Sequence, residues 1–406
     1  MSTAIQGWVK QVVRTPVVAE YDAVAHERLR FRAFFAIAIF KLFNFFGGNW
    51  DIQWHVAIGR DSLFIPPHLM VMVAFFAGLA LSCALIAYET RLRRAGVQAA
   101  GVMSIGPFSA PAPTFGIFLG YVGALFAALF DEAWHRIFGI DSTLWSPPHV
   151  LIMLSTSMVD FSLLAGFATS ARRLGMRFTP RSAYFWGLCL AGAFAFEAVN
   201  FQMGEAFIVA FRKGGVGLLG ILYPIMVGAL YPLALLLTIR LAGKFWAAIV
   251  VFAITISLQY IATGISAAGF ELLKPVSVVE QFVIDNPDST LANVRAFAQA
   301  TGFTGLVGLQ QAWWMWLSFV PMALVSLLEF VPYARRHPLV AAPLFSASLV
   351  IVSFLWFERT PLMRDYPVTW GHVFLGAALS ASLGLLMGWL GLKLANALTT
   401  SDEKVR

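Results

Sequence analysis

The chain has 406 residues, of which 59% are hydrophobic and only 12% charged, and its net charge is +7. A soluble domain holds about 25% charged residues, so a water-soluble enzyme or scaffold is excluded. The basic residues form short clusters between apolar runs (Arg91, Arg93 and Arg94; Arg172, Arg173, Arg177 and Arg181; Arg335 and Arg336). That is the pattern of loops that set membrane topology, not of a groove that tracks phosphates, and it sets nucleic acid aside as a partner.

Residues 1–30 mix charge with short apolar pieces and read as a cytoplasmic N-terminal segment, with no cleavable signal peptide. Beyond them, apolar runs long enough to cross a bilayer core of roughly 30 Å predict an all-α, polytopic bundle of about ten transmembrane helices. The spans fall near 31–50, 68–88, 113–131, 149–169, 184–211, 215–240, 245–270, 305–331, 339–357 and 368–394. The stretch 95–112, with Pro107 and Pro111, reads as irregular or re-entrant. Three regions result: 1–30, a duplicated hairpin region 31–180, and a six-helix region 181–406 with an outer loop at 271–304. In that loop Asp288 or Ser289 suits the cap of a short surface helix or lid; a plain loop at the interface is the alternative. With both termini cytoplasmic in a cell (inner) membrane, most basic clusters lie inside, and Arg212–Lys213 and the Arg359/Arg364 loop are exceptions. Cys83 and Cys189 fall within apolar runs, so no disulfide framework is expected.

One pattern is written twice. The stretch from Asp51 reads D-x-x-W-H, then G-x-D-S, P-P-H and a Met, and so does the stretch from Asp131. The topology places both loops on one outer face, each joining an outgoing helix to a returning one. Asp51 and His55, like Asp131 and His135, are four residues apart and share a helix face. Pro66-Pro67 and Pro147-Pro148 suit the first turn of the next helix, which sets His68 and His149 facing back across each hairpin. Each hairpin thus converges a carboxylate and two imidazoles, the ligand set of an open, reactive metal site. Asp61 and Asp141 are candidates to orient the ligand histidines, or to cap the following helix. Met72 and Met153 lie one turn below His68 and His149, where a thioether suits reduced copper or mere packing. Trp54 and Trp134 read as interface anchors.

Deeper in the bundle, Lys41 and Asp160 are expected to pair, since isolated charges there are costly; a proton path toward the metal face is the sharper use. Glu197 and Glu205 lie in an overlong run that Gly204 permits to break, and either acid suits helix-to-helix bonding or supply of a ligand or proton. Tyr223, Tyr231 and Trp313–Trp316 read as packing.

The run from Asp51 to His68, D-x-x-W-H-x-x-x-x-R-D-S-x-F-x-P-x-H, resembles the metal-site segment of a membrane-embedded, metal-binding subunit of the copper membrane monooxygenases, the particulate methane and ammonia monooxygenases. The resemblance covers roughly residues 31–165. It implies metal-ligand roles for Asp51, His55 and His68, and a neighbouring site at Asp131, His135 and His149, with Asp131 standing where that family has Asn. It implies a copper-dependent oxidoreductase acting on dioxygen and a small or lipophilic substrate. Iron or zinc would accept the same ligands. Electrons would come from quinol or a partner protein, since no haem or flavin motif is visible, and an oligomeric assembly is compatible with this reading. Two other readings stand beside it: a membrane protein that loads or transports copper or another divalent metal, and Asp–His pairs that merely tie helices together.

Overall fold

The computed structural model describes residues 21–59, 62–138, 143–301, 307–360 and 362–400, with backbone alone at 307–311 and 400. It is an all-α membrane bundle whose described residues include one two-stranded ribbon. Nine helical segments among the described residues are long and apolar enough to cross a bilayer. The first helix, α1 (Ala23–Ala57), is not one of them. It is 35 residues long, but carries Glu27, Arg28, Arg30, Arg32, Lys41 and Asp51. The expected first span at 31–50 lies wholly within it, and it packs beside helices that do qualify.

Asp22 starts α1 by accepting the amides of Val24 and Ala25 at 2.8 and 3.0 Å, satisfying donors that no earlier turn can reach. The chain returns as α2 (Pro66–Arg94), and the pair is repeated as α3 (Ala112–Phe138) and α4 (Pro147–Arg173). Small residues let each hairpin close. A Cβ on Gly47 would lie 2.8 Å from Val71 of α2, and one on Gly120 would lie 2.8 Å from the Ser155 carbonyl of α4. Between the hairpins, where the proline content suggested irregular chain, strands β1 (Val102–Ile105) and β2 (Phe108–Pro111) form an antiparallel ribbon. Gly106 turns it at φ +57°, a left-handed conformation that glycine adopts without steric cost.

The ends of the hairpins near this ribbon are locked by a buried ion network. Arg30 grips Glu89 of α2 through two nitrogens, at 2.6 and 2.9 Å, and also bonds Glu27 at 2.8 Å and the Ala100 carbonyl at 2.9 Å. Glu27 accepts from Ser170 of α4 at 2.6 Å, and His26 meets Glu89 at 2.9 Å. Three helices are joined through side chains that are almost wholly buried.

The expected long span at 184–211 is two helices, α5 (Ala183–Met203) and α6 (Glu205–Arg212). The break falls at Gly204, where a Cβ would lie 2.4 Å from the Trp314 ring. The next run divides at Tyr231 into α7 (Leu222–Leu230) and α8 (Pro232–Ala242), since Pro232 supplies no amide to continue the ladder. Helix α9 (Ala247–Leu273) packs against α1 and α5. The outer segment holds α10 (Val279–Asp285) and α11 (Thr290–Ala300). Ser289 caps α11 by accepting the Ala292 amide at 3.2 Å, and Leu291 and Phe297 of α11 are buried, so this segment is docked. Helices α12 (Val307–Trp316), α13 (Phe319–Leu327), α14 (Pro332–Arg336), α15 (Ala341–Phe357) and α16 (Trp370–Thr400) complete the fold. Tyr223 and Tyr231 are core residues; Tyr223 donates to Asn200 at 2.8 Å. Both cysteines are free thiols.

Candidate metal centre

Asp51 and His55 stand in the last two turns of α1. The helix ends at Ile58, and Gly59 turns the chain at φ +71°. This end is clamped from the other half of the chain: Ser277 Oγ donates to the Ala57 carbonyl at 2.7 Å, and the Val278 amide to the Ile58 carbonyl at 2.9 Å. The chain then enters α2 through Ile65, with Pro66 and Pro67 in the first turn and His68 next. The second copy is built alike. Ser146, which precedes Pro147 and Pro148, has the same φ of −66° and ψ of 151° as Ile65.

Both hairpins bring their three side chains together. His55 Nε2 and His68 Nε2 lie 3.6 and 3.2 Å from Asp51 Oδ1. His135 Nε2 lies 3.5 Å from Asp131 Oδ2, and His149 Nε2 lies 3.4 Å from Asp131 Oδ1. Within each triad one ligand atom per residue lies within 4.8 Å of the other two. Donors held about 2.0–2.1 Å from one ion at tetrahedral angles stand roughly 3.4 Å apart, so these separations fit a shared metal. Asp51 Oδ1 and Asp131 Oδ1 are sealed from solvent and make no hydrogen bond of good geometry. Their lone pairs suit a cation.

The two triads are neighbours on one face of the bundle. The rings of His55 and His135 lie nearly parallel, at 16°, with centroids 5.9 Å apart.

His68 and His149 are oriented by backbone. His68 Nδ1 lies 2.9 Å from the Ser62 carbonyl and His149 Nδ1 lies 2.7 Å from the Thr143 carbonyl. A carbonyl only accepts, so Nδ1 carries the proton and Nε2 is left to coordinate. The orienting groups are therefore carbonyls; Asp61 and Asp141 lie outside the described residues. The N-caps of α2 and α4 are Ile65 and Ser146, and neither makes a side-chain cap bond. Glu205 supports the second loop by accepting the Leu144 amide at 3.1 Å, and Trp145 donates from its indole to the Gln202 carbonyl at 2.9 Å.

Beneath the triads lies a cavity of about 540 Å³ lined by groups from both, including Asp51, His68, Asp131, His135 and His149. Met72 and Met153 lie on its wall, as do Phe45, Phe75, Leu125 and Phe201. Lys41 and Glu197 also reach it. Lys41 Nζ stands 3.0 Å from Asp160 Oδ1, and Glu197 accepts from Asn49 at 3.4 Å. Glu205 is buried and holds a loop; it is not among the residues that line the cavity. Trp54 does not anchor at a membrane interface: it is buried and stacks on Phe270 of α9, 5.9 Å between centroids. Trp134 packs on Phe138 at 4.2 Å.

No protein-family profile, curated protein or solved structure matches the chain. The likeness to the copper membrane monooxygenases therefore rests on the residues from Asp51 to His68 and their second copy. The chain is a multi-pass membrane helical protein with two Asp/His/His groups arranged to hold metal.

Proposed function

We propose that the chain is a copper-dependent membrane oxidoreductase of the monooxygenase kind, with one ion at Asp51/His55/His68 and one at Asp131/His135/His149. The observation that carries this reading is the pair of open three-ligand sets meeting over one apolar cavity. Two carboxylates balance two monovalent cations, so reduced copper at both sites leaves the pair neutral, the least costly state next to a bilayer. Asp131 in place of the family's Asn supplies the second of those charges. Copper bound there supplies one-electron chemistry toward dioxygen. His68 and His149 are held for ligation by the Ser62 and Thr143 carbonyls, and the apolar wall keeps water from the reacting face.

A metal-transport reading fits less well. A conducted cation leaving the triads inward would meet the Lys41 ammonium, already paired with Asp160, which repels it. Helix ties alone would leave no reason for an open cavity at the triads.

The test is oxygen uptake by protein in native lipid, supported by an added quinol. Uptake should vanish on chelation, return with copper and not with zinc, and be absent from a His55→Ala/His135→Ala variant. Uptake unchanged in that variant, or restored by zinc, refutes the proposal.

A further inference from the structure

The cavity volume of about 540 Å³ lies within the range of roughly 300–1,000 Å³ typical of sites that enclose drug-sized molecules. A water molecule occupies about 30 Å³, so dioxygen or a one-carbon molecule would leave most of this space unfilled. The cavity walls are apolar, and three of its lining residues are also heavily exposed: Phe64 (71%), Phe76 (58%) and Leu129 (64%). They come from the loop before α2, from α2 and from α3. In helices that cross a bilayer, exposed aromatic and aliphatic side chains face lipid, so the mouth opens sideways between the two hairpins.

The far end of the cavity is polar. Lys41, Asn44 and Glu197 line it, and Lys41 lies ten residues before Asp51 on α1, about 15 Å by helix rise. The charge of Lys41 is already matched by Asp160 at 3.0 Å, and Glu197 adds a further acid. An anionic head group would find no unmatched cation there and would lose its hydration without compensation. A pure hydrocarbon would leave the floor's donors and acceptors facing carbon. A hydroxyl accepts from Lys41 or Asn44 and donates to Glu197.

We propose that the cavity binds a neutral, hydroxyl-bearing lipophile drawn from the bilayer, with its hydroxyl at Lys41, Asn44 and Glu197 and its chain running up toward the two triads. This names the substrate class for the function proposed above, and rests on that function for the molecule's role but not for its binding.

Gly48 supplies the decisive variant. It lines the cavity, and a Cβ added there meets no atom within 4 Å, so Gly48→Leu fills the space without displacing the fold. Protein purified in native lipid is photolabelled with a diazirine-bearing dodecanol, the labelled peptides are mapped by mass spectrometry, and metal content is measured on the same samples. The label should fall on α1–α4 at cavity residues such as Met72, Leu125 and Met153. Dodecanol should compete about tenfold better than dodecane, the worth of one hydrogen bond, and dodecanoate should compete poorly. Gly48→Leu should lose the label and keep its metal. Glu197→Leu should reduce competition by dodecanol to that by dodecane. Label retained in Gly48→Leu, or dodecanoate competing as well as dodecanol, overturns the inference. Saturable cavity labelling in protein that binds no metal would support it while refuting the metal reading.

Discussion

Replacing Lys41 by Met tests what the buried charges at the cavity floor do. Lys41 Nζ and Asp160 Oδ1 are 3.0 Å apart, and their side chains are 6% and 1% exposed. At an effective dielectric constant of about 20 their attraction is roughly 5–6 kcal/mol, set against several kcal/mol of lost hydration for each ion. Removing one partner leaves Asp160 buried without compensation, at a cost of about 3–5 kcal/mol. The double change Lys41→Met/Asp160→Leu removes both charges and should recover most of that loss. Recovery stops short of complete because Glu197, held by Asn49 at 3.4 Å, also loses its nearest cation. Equilibrium unfolding in mixed micelles, followed by tryptophan fluorescence, gives the three free energies of the cycle. Should the double variant be as unstable as Lys41→Met, the two side chains are not coupled and the electrostatic account of the floor fails.

At the opposite end of the hairpins, Arg30→Met should cost about 3–5 kcal/mol in the same unfolding assay, because Glu27 and Glu89 would keep their charges and lose their shared partner. Adjacent glycines should behave oppositely. Gly47→Ala drives a methyl to 2.8 Å from Val71 and 3.0 Å from the Pro67 carbonyl and should destabilise by about 1–3 kcal/mol, whereas Gly48→Ala, with open space around it, should stabilise by roughly 0.5–1 kcal/mol. Glu205→Ala releases the Leu144 amide beside the carbonyl that orients His149. Metal titration should then show about 10–100-fold weaker binding at Asp131/His135/His149 and no change at Asp51/His55/His68.

Much of this architecture is readable in the sequence. Long apolar runs announce bilayer-spanning helices, and a motif written twice at helical spacing announces two like sites on one face. Gly204 marks the break between α5 and α6, and Ser289 the cap of α11. What stays hidden depends on partners remote in the chain. Trp54 reads as an interface residue until Phe270 arrives to cover it. Arg30 looks like one more cytoplasmic charge, and only tertiary contact makes it the centre of a buried network with Glu27 and Glu89. The ribbon at 102–111 is masked by its prolines, although Pro111 sits at its end. The carbonyls of Ser62 and Thr143 carry no signal at all, because every residue has one; Asp61 and Asp141 stand out instead as the obvious acids nearby. Gly48 is equally mute, since an empty space is a property of what surrounds it.

Metal occupancy of the two triads is the most direct test. Elemental analysis of protein purified in native lipid should find two ions per chain, one in His55→Ala, one in His135→Ala and none in the double variant, with all four proteins folded. Metal content indifferent to these substitutions would contradict the assignment of both sites.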